Sequence, residues 1–152
     1  MTQPAEDKIV TATRTIAAPA AAIFEFIADP SRQPEWDGND NLAAAAPGQR
    51  VHGVGEIFQM TLTHDGAVRD NKVVEFEEGR RIAWCPSTAG EPPAGHLWRW
   101  ELQPTSDGRT RVTHTYDWTH LTDPRRMERA RATTSEKLAK SVDNLAAVVG
   151  AD

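Results

Sequence analysis

The chain has 152 residues, of which 39% are hydrophobic and 26% charged, and it carries a net charge of −5 at pH 7. These values are typical of a globular domain with a sizeable core, and the acidic balance argues against a general nucleic-acid binder. No apolar run approaches the ~20 residues of a membrane span, and the single cysteine excludes an internal disulfide and a thiolate metal cluster. Residues 1–7 lack the basic and then apolar pattern of a signal segment. We therefore expect a disordered tail over residues 1–7, one domain over residues 8–152 and a cytoplasmic location.

The first third of the chain predicts one strand followed by two short helices. Residues 8–17 are rich in Val, Thr and Ile and alternate loosely, which is typical of a strand. Pro19 opens a short helix, which ends at Asp29 because the residue before a proline is pushed out of the helical region. Ser31 is expected to cap one further turn. Residues 37–50 indicate a loop or a weak edge strand.

Five segments with a period of two follow, and each predicts a strand joined to its neighbours by a turn or loop. They cover residues 56–63, 68–77, 80–85, 96–103 and 109–119. Alternation assigns an inward face to Phe58, Met60, Leu62, Val74, Phe76, Ile82, Trp84, His96, Trp98, Trp100, Leu102, Val112, His114, Tyr116 and Trp118. The same alternation places Asp70 inward and Arg69 outward, unless a bulge interrupts the strand.

The segment from Asp123 to Val149 predicts one long helix. Asp123 is a good N-cap, Pro124 occupies the first helical position, and Gly150 follows the last apolar residue. An apolar stripe recurs at helical spacing and comprises Met127, Thr134, Leu138, Val142, Leu145 and Val149. The order of elements predicts an α+β fold in which this helix packs on an antiparallel sheet.

Several short motifs then give the chain a resemblance to a known superfamily. They are Pro19-x3-Ile23-Phe24-x2-Ile27-x-Asp29-x4-Pro34-x-Trp36, Gly53-x-Gly55, Gly79-Arg80-Arg81-Ile82-x-Trp84 and Gly108-x2-Arg111-Val112. In this order they resemble the START-like (SRPBCC) superfamily, which includes the birch pollen allergens, and within it the polyketide cyclase/dehydrase and lipid-transport family. The resemblance implies a helix-grip fold, with about seven curved antiparallel strands around the C-terminal helix, two short helices after the first strand, and an apolar cavity between sheet and helix.

Rings and polar side chains near this implied cavity are the candidate ligand contacts. Tryptophans suit a pocket for an aromatic or polycyclic ligand, although they also fill cores, and Trp36 and Trp100 are the first choices. The resemblance places the first half of the long helix at the cavity, where Arg131 would meet an anionic group or simply face solvent. The full set is Trp36, Phe58, Met60, Trp84, His96, Trp98, Trp100, Trp118, Met127, Arg131 and Thr134.

The candidate catalytic residues are His114, Tyr116 and Asp70. A histidine in a dry cleft can move the proton of an aldol cyclisation or dehydration, but a buried histidine is more often bonded to the backbone. Buried Asp70 would need a partner such as Arg99 or Tyr116, or a raised pKa. The resemblance adds Arg69 with Tyr116, because aromatic polyketide cyclases of the family hold ketone groups with a cavity arginine and tyrosine. The histidine spacings match no metal site, and no cofactor is expected.

Three functions remain open at this point. The leading one is the binding, sequestration or transport of a hydrophobic small molecule (aromatic, polyketide-like or lipid) by a monomer or homodimer. The second is an aromatase/cyclase or dehydratase that acts on a polyketide-type substrate. The third is a regulatory or stress-related interaction protein, which would use the basic start of the long helix or the loop at residues 86–95.

Overall fold

A computed structural model describes residues 7–39 and 41–150. Within these residues, seven strands and three α-helices form. The strands are β1 (Ile9–Ile16), β2 (Leu42–Ala44), β3 (Ile57–Leu62), β4 (Val68–Glu77), β5 (Arg81–Thr88), β6 (Leu97–Pro104) and β7 (Thr110–Asp117). The helices are α1 (Ala20–Ala28), α2 (Pro124–Ala132) and α3 (Ser135–Val148), with a 3₁₀ helix at Pro30–Glu35. The disordered tail expected at residues 1–7 lies, apart from Asp7, outside the described residues.

The strands form a single antiparallel sheet in the order β1-β7-β6-β5-β4-β3-β2. The N-terminal strand pairs with the last one along its whole length, from Ile9 opposite Asp117 to Ile16 opposite Thr110. Helix α3 packs against β1 and β7, and its buried face shares one apolar core with α1 and the sheet. This architecture confirms the predicted α+β helix-grip fold, with two short helical segments after the first strand.

Strand β3 shows how alternation directs the chain. Phe58, Met60 and Leu62 are buried, whereas Ile57 and Gln59 on the other face are exposed. Burying one such side chain stabilises the fold by roughly 1.5–3 kcal/mol. The alternating pattern in this part of the sequence therefore predicts correctly which face of the sheet meets the core.

Strand β4 contains a bulge that the sequence pattern does not reveal. Val73 lies opposite Trp84 on β5 and Glu75 lies opposite Ala83, so Val74 is an extra residue. Val73 is fully buried, whereas Val74 is 36% exposed. The predicted inward position of Val74 is wrong, and the inside and outside assignments from Val68 to Val73 are reversed.

The predicted long helix is interrupted between α2 and α3. Thr133 has an extended backbone, and its hydroxyl donates to the Arg129 carbonyl at 2.9 Å. Thr134 is also extended, and its hydroxyl oxygen accepts a hydrogen bond from the Lys137 amide. Threonine side chains that bond to nearby backbone compete with helical hydrogen bonds, so two adjacent threonines end one helix and cap the next. Asp123 caps α2 as predicted.

The short helices are joined by side-chain to backbone hydrogen bonds. Asp29, not the predicted Ser31, caps the 3₁₀ helix, since its carboxylate accepts from both the amide and the hydroxyl of Ser31. Trp36 Nε1 donates to the Phe26 carbonyl at 2.7 Å. Gly38 follows against α3, where its amide donates to Ser141 Oγ and a side chain would collide with the helix backbone. These contacts place the loop after the 3₁₀ helix beside the hollow described next.

Candidate functional site

A cavity of about 870 Å³ lies between α2 and the inner face of strands β3 to β7. Its rim includes Asp37, Asn39 and Asn41 from the loop after the 3₁₀ helix, and Lys137 from α3. The other end of the inner face has no such space, because α1 and the second half of α3 fill it with side chains. The sheet therefore has a filled end and a hollow end.

Six of the residues proposed from the sequence line the cavity. They are Met60, Trp84, His96, Trp98, His114 and Tyr116. They come from β3, β5, the residue just before β6, β6 itself and β7, so the cavity is built from inward-facing positions on neighbouring strands. Alternation could find these residues because each follows the regular period of its strand.

Three other candidates lie in the filled end of the sheet. Trp36 and Trp100 pack edge to face with ring centroids 5.1 Å apart, and Trp100 is fully buried. Phe58 packs edge to face on Trp84 at 5.3 Å and is 1% exposed. None of the three lines the cavity, so their rings contribute to the core and not to the surface that a ligand would touch.

The remaining ligand-contact candidates lie behind α2 or on the surface. Trp118 packs in a second apolar cluster, against which Met127 also packs. The Arg131 guanidinium lies over the Trp118 ring, 5.9 Å from its centroid. Thr134 is exposed and caps α3. Thr134 was predicted to lie on the apolar stripe of one long helix. The break between α2 and α3 removes it from that stripe, which explains its exposure.

Asp70 lies outside the cavity, in contrast to its predicted inward position. Its carboxylate accepts hydrogen bonds at 3.0 Å from the Gly90 amide and from Gln59 Nε2, and these bonds lower the pKa of Asp70. The proposed partner Arg99 binds Glu75 instead. The bulge at Val74 explains the reversal.

The same bulge turns Arg69 inward. Arg69 lies directly opposite Met60 on β3 and Thr88 on β5, and directly opposed residues share one face of a sheet. Arg69 lines the cavity. Burial and, second, the positive charge of Arg126 lower the pKa of the Arg69 guanidinium. From the sequence, Arg69 was expected to face inward only if a bulge interrupted the strand.

The His114 imidazole is held by the backbone and by rings. Nδ1 lies 3.0 Å from the Arg99 carbonyl, which can only accept, so this nitrogen carries the proton. The ring stacks on Trp100 at 3.7 Å and on Trp98 at 5.5 Å. Burial lowers the pKa of His114 to about 3. His114 is therefore neutral at physiological pH.

His96 and Tyr116 face one another at the cavity wall. Their ring centroids are 6.0 Å apart. His96 Nδ1 is buried and has no hydrogen-bond partner among the described residues. Burial and, second, the charge of Arg126 lower the pKa of His96 to about 4, and burial raises the pKa of Tyr116 to about 12. The tyrosine hydroxyl is consequently a hydrogen-bond donor and not a base at neutral pH.

This arrangement can bind and orient a ligand, but it lacks a formed acid and base pair. Among the described residues, no hydrogen bond joins His114, Tyr116, His96 or Asp70 to another of these four. The pKa values of the two histidines lie well below the range near neutrality that suits a general base. Within the same part of the chain, no cluster of three His, Cys, Asp or Glu residues is placed to hold a metal ion.

The cavity contains more positive than negative side chains. Its charged residues are Arg69, Arg125, Arg126, Arg129 and Lys137 against Asp37 and Glu128. Arg131, the arginine proposed from the sequence, lies over Trp118 and does not line the cavity. Arg125, Arg126 and Arg129, on the same helix, line the cavity instead.

The chain is similar to known proteins in sequence and in fold. The family model described as "Polyketide cyclase / dehydrase and lipid transport" matches residues 8–150. The uncharacterized protein Rv0088 of Mycobacterium tuberculosis is 32% identical over 105 residues, which cover 68% of this chain. The chain spans less than half (44%) of the length of that relative.

Solved structures share the fold at low sequence identity. Protein MLL2253 from Mesorhizobium loti superimposes with a TM-score of 0.68 at 19% identity, over 93% of this chain and 96% of that one. A Thalictrum norcoclaurine synthase, solved as a point mutant with a transition-state analogue, superimposes with a TM-score of 0.62 at 15% identity, over 93% of each chain. Among the described residues, no helix is long and apolar enough to cross a bilayer.

Proposed function

Because this chain belongs to the polyketide cyclase/dehydrase and lipid-transport family of the START-like superfamily, we propose that it binds and carries a hydrophobic small molecule in its cavity. The ligand class is aromatic, polyketide-like or lipid. The observation that supports this function is the cavity itself. Its volume of about 870 Å³ falls in the range of sites for drug-sized ligands, and Met60, Leu62, Trp84 and Trp98 give it an apolar wall.

A cavity-filling substitution tests this function with a control on the same strand. Leu62→Trp places an indole in the space that the ligand would occupy, whereas Ile57→Trp adds the same ring on the exposed face of β3. Native mass spectrometry of the purified protein and of both variants measures any molecule that copurifies. We expect a copurifying or added hydrophobic ligand to be retained by Ile57→Trp and lost from Leu62→Trp. Retention by Leu62→Trp, or failure of the wild-type protein to bind any member of a lipid and polyketide panel, would contradict the proposal.

A second candidate function is carbonyl chemistry on a polyketide-type substrate. The feature that favours it is the bulge in β4, which places Arg69 in the cavity that Tyr116 also lines. A guanidinium and a phenol that remains protonated can both donate to a ketone oxygen and polarise it. The test is incubation with a poly-β-ketone thioester. Formation of a cyclised product by the wild-type protein, and its loss in Tyr116→Phe, would support an aromatase/cyclase or dehydratase. Binding of the thioester without turnover would contradict the enzymatic function and remain consistent with the carrier function.

A further inference from the structure

Arg69 and Arg126 are brought together from different elements by Thr88. Thr88 is the residue on β5 directly opposite Arg69, and its hydroxyl accepts a hydrogen bond from Arg126 Nη2 at 2.8 Å. Arg126 lies on the first turn of α2, which is nine residues long. Two guanidinium groups therefore face the same part of the cavity wall, one from the sheet and one from the helix.

The positive charge at this wall is only partly balanced. Arg126 has an ion pair with Asp123 at 3.5 Å, and Asp123 also binds Arg125 at 3.1 Å. Asp65 attracts Arg69 electrostatically, but neither the Arg69 guanidinium nor the Arg129 guanidinium forms a hydrogen bond or an ion pair with any described residue. Asp37 is occupied by the backbone amides of Asn39, Asn41 and Leu42. Glu128 is then the one further carboxylate among the described lining residues.

His96 supplies an independent observation at the same wall. It is 9% exposed, lines the cavity, and leaves Nδ1 without a partner among the described residues. A buried polar nitrogen without a hydrogen-bond partner destabilises the protein. The positive charges of Arg126 and Arg69 both act on this imidazole, so the unpaired nitrogen belongs to the same cluster as the two arginines. In the tautomer that carries its proton on Nδ1, this imidazole can donate to a ligand oxygen that the guanidinium groups also bind.

We propose that the cavity selects amphipathic carboxylates, and that Arg69, Arg126, Arg129 and His96 hold the carboxylate while Met60, Leu62 and the two cavity tryptophans cover the apolar body. Met60 is the direct cross-strand neighbour of Arg69, so the apolar wall begins beside the charged group. The arginine fork matches a carboxylate in geometry as well as in charge. The whole chain carries a net charge of −5, so the excess of arginine at the cavity is local. This inference deepens the proposed carrier function and rests on it.

A pair of probes that share one apolar body and differ in the head group, a carboxylate or a hydroxyl, tests the inference. Calorimetric titration with 1-pyrenebutyrate and with 1-pyrenebutanol compares the same apolar body with and without a carboxylate. We expect the carboxylate to bind about tenfold more tightly or better, which is the size of a charge-assisted hydrogen bond. Arg69→Gln and, separately, Arg129→Gln should reduce this preference, because each should weaken the binding of the carboxylate more than the binding of the alcohol. Arg111→Gln, which removes one charge from an exposed position on β7 outside the cavity, should keep the preference.

The outcomes separate the two proposals. Equal affinities for the acid and the alcohol in the wild-type protein would overturn the carboxylate assignment and leave the carrier function standing. A preference that survives both Arg69→Gln and Arg129→Gln would overturn it too. Failure of both probes and of the wider ligand panel would overturn the carrier function itself. Circular dichroism of each variant identifies any loss of folding, and Arg129 lies on an exposed helix position where substitution is tolerated best.

Discussion

The imidazoles of His114 and His96 are held neutral inside the protein, and this links stability to pH. Their folded pKa values are about 3 and about 4, against 6.5 for a free histidine. Below pH 6.5 these two histidines bind protons in the unfolded chain but remain unprotonated in the folded chain. The stabilisation that comes from these groups is therefore complete above pH 6.5 and is lost as the pH falls from 6.5 towards about 4 for His96 and about 3 for His114.

We predict that the free energy of unfolding falls by about 2 kcal/mol per histidine between pH 7 and pH 5. Carboxyl groups with lowered pKa values act mainly below this window, because their ordinary pKa values are near 4. Urea denaturation at several pH values measures the slope. His114→Gln can still donate to the Arg99 carbonyl but cannot titrate, so it should reduce the slope. A slope that His114→Gln leaves unchanged, or an NMR titration midpoint near 6.5 for His114, would contradict the prediction.

Trp36 was predicted to contact the ligand, but in the structure it stabilises the packing of the core. Its indole donates to the Phe26 carbonyl, and its ring packs on Trp100. We predict that Trp36→Phe lowers the free energy of unfolding by about 1–3 kcal/mol, since the carbonyl loses its partner. Because Trp36 does not line the cavity, the affinity for 1-pyrenebutyrate should stay within a factor of about two, well below the effect of one lost hydrogen bond. A large loss of affinity at unchanged stability would contradict this prediction and indicate that Trp36 contacts the ligand.

At the scale of elements, β4 shows how one extra residue decides which side chains reach the cavity. Val73 and Val74 are the same residue type at adjacent positions, but Val73 is fully buried and Val74 is more than one-third exposed. We predict that Val73→Ala destabilises the protein by about 2 kcal/mol and that Val74→Ala changes stability by less than about 0.5 kcal/mol. Chemical denaturation of the pair measures the difference. Similar values for both variants, or a larger cost at Val74, would mean that the strand is regular and that Arg69 faces outward.

The same strand shows why the sequence predicts the fold better than the site. Phe58, Met60 and Leu62 keep a strict period of two, so their inward orientation follows from the residues alone. The bulge in β4 interrupts the period of two, but the sequence does not reveal it. Both residues at the irregular position, Val73 and Val74, are valines, so either could face the core. Asp70 and Arg69 exchange faces as a result, and the candidate site changes from a carboxylate to a guanidinium.

The tryptophans show a second limit on what a pattern can predict. Alternation correctly places Trp84, Trp98 and Trp100 on the inner face, but it cannot distinguish the end that the helices fill from the end that stays open. That distinction depends on where α1 and α3 cross the sheet, which is set by packing between distant segments. The break at Thr133 and Thr134 is a further case, since the apolar stripe runs on across it and hides it.

At the scale of the whole molecule, the two C-terminal helices differ in how firmly they are held. Helix α3 buries five side chains, among them Leu138, Val142 and Leu145, whereas α2 buries Ala130 alone. Elements with little buried apolar surface open at lower free energy. We predict that amide hydrogens of α2 exchange faster than those of α3, and that a bound ligand slows exchange in α2. Hydrogen exchange by mass spectrometry measures both effects, and equal protection of the two helices would contradict the first.

The interruption at Thr133 and Thr134 separates α3, which anchors the fold, from α2, which forms one wall of the cavity. A library restricted to residues 124–132 would vary the cavity wall while the anchoring helix and the sheet stay as they are. Variants with a new ligand specificity should therefore be obtainable from this library with little loss of thermal stability.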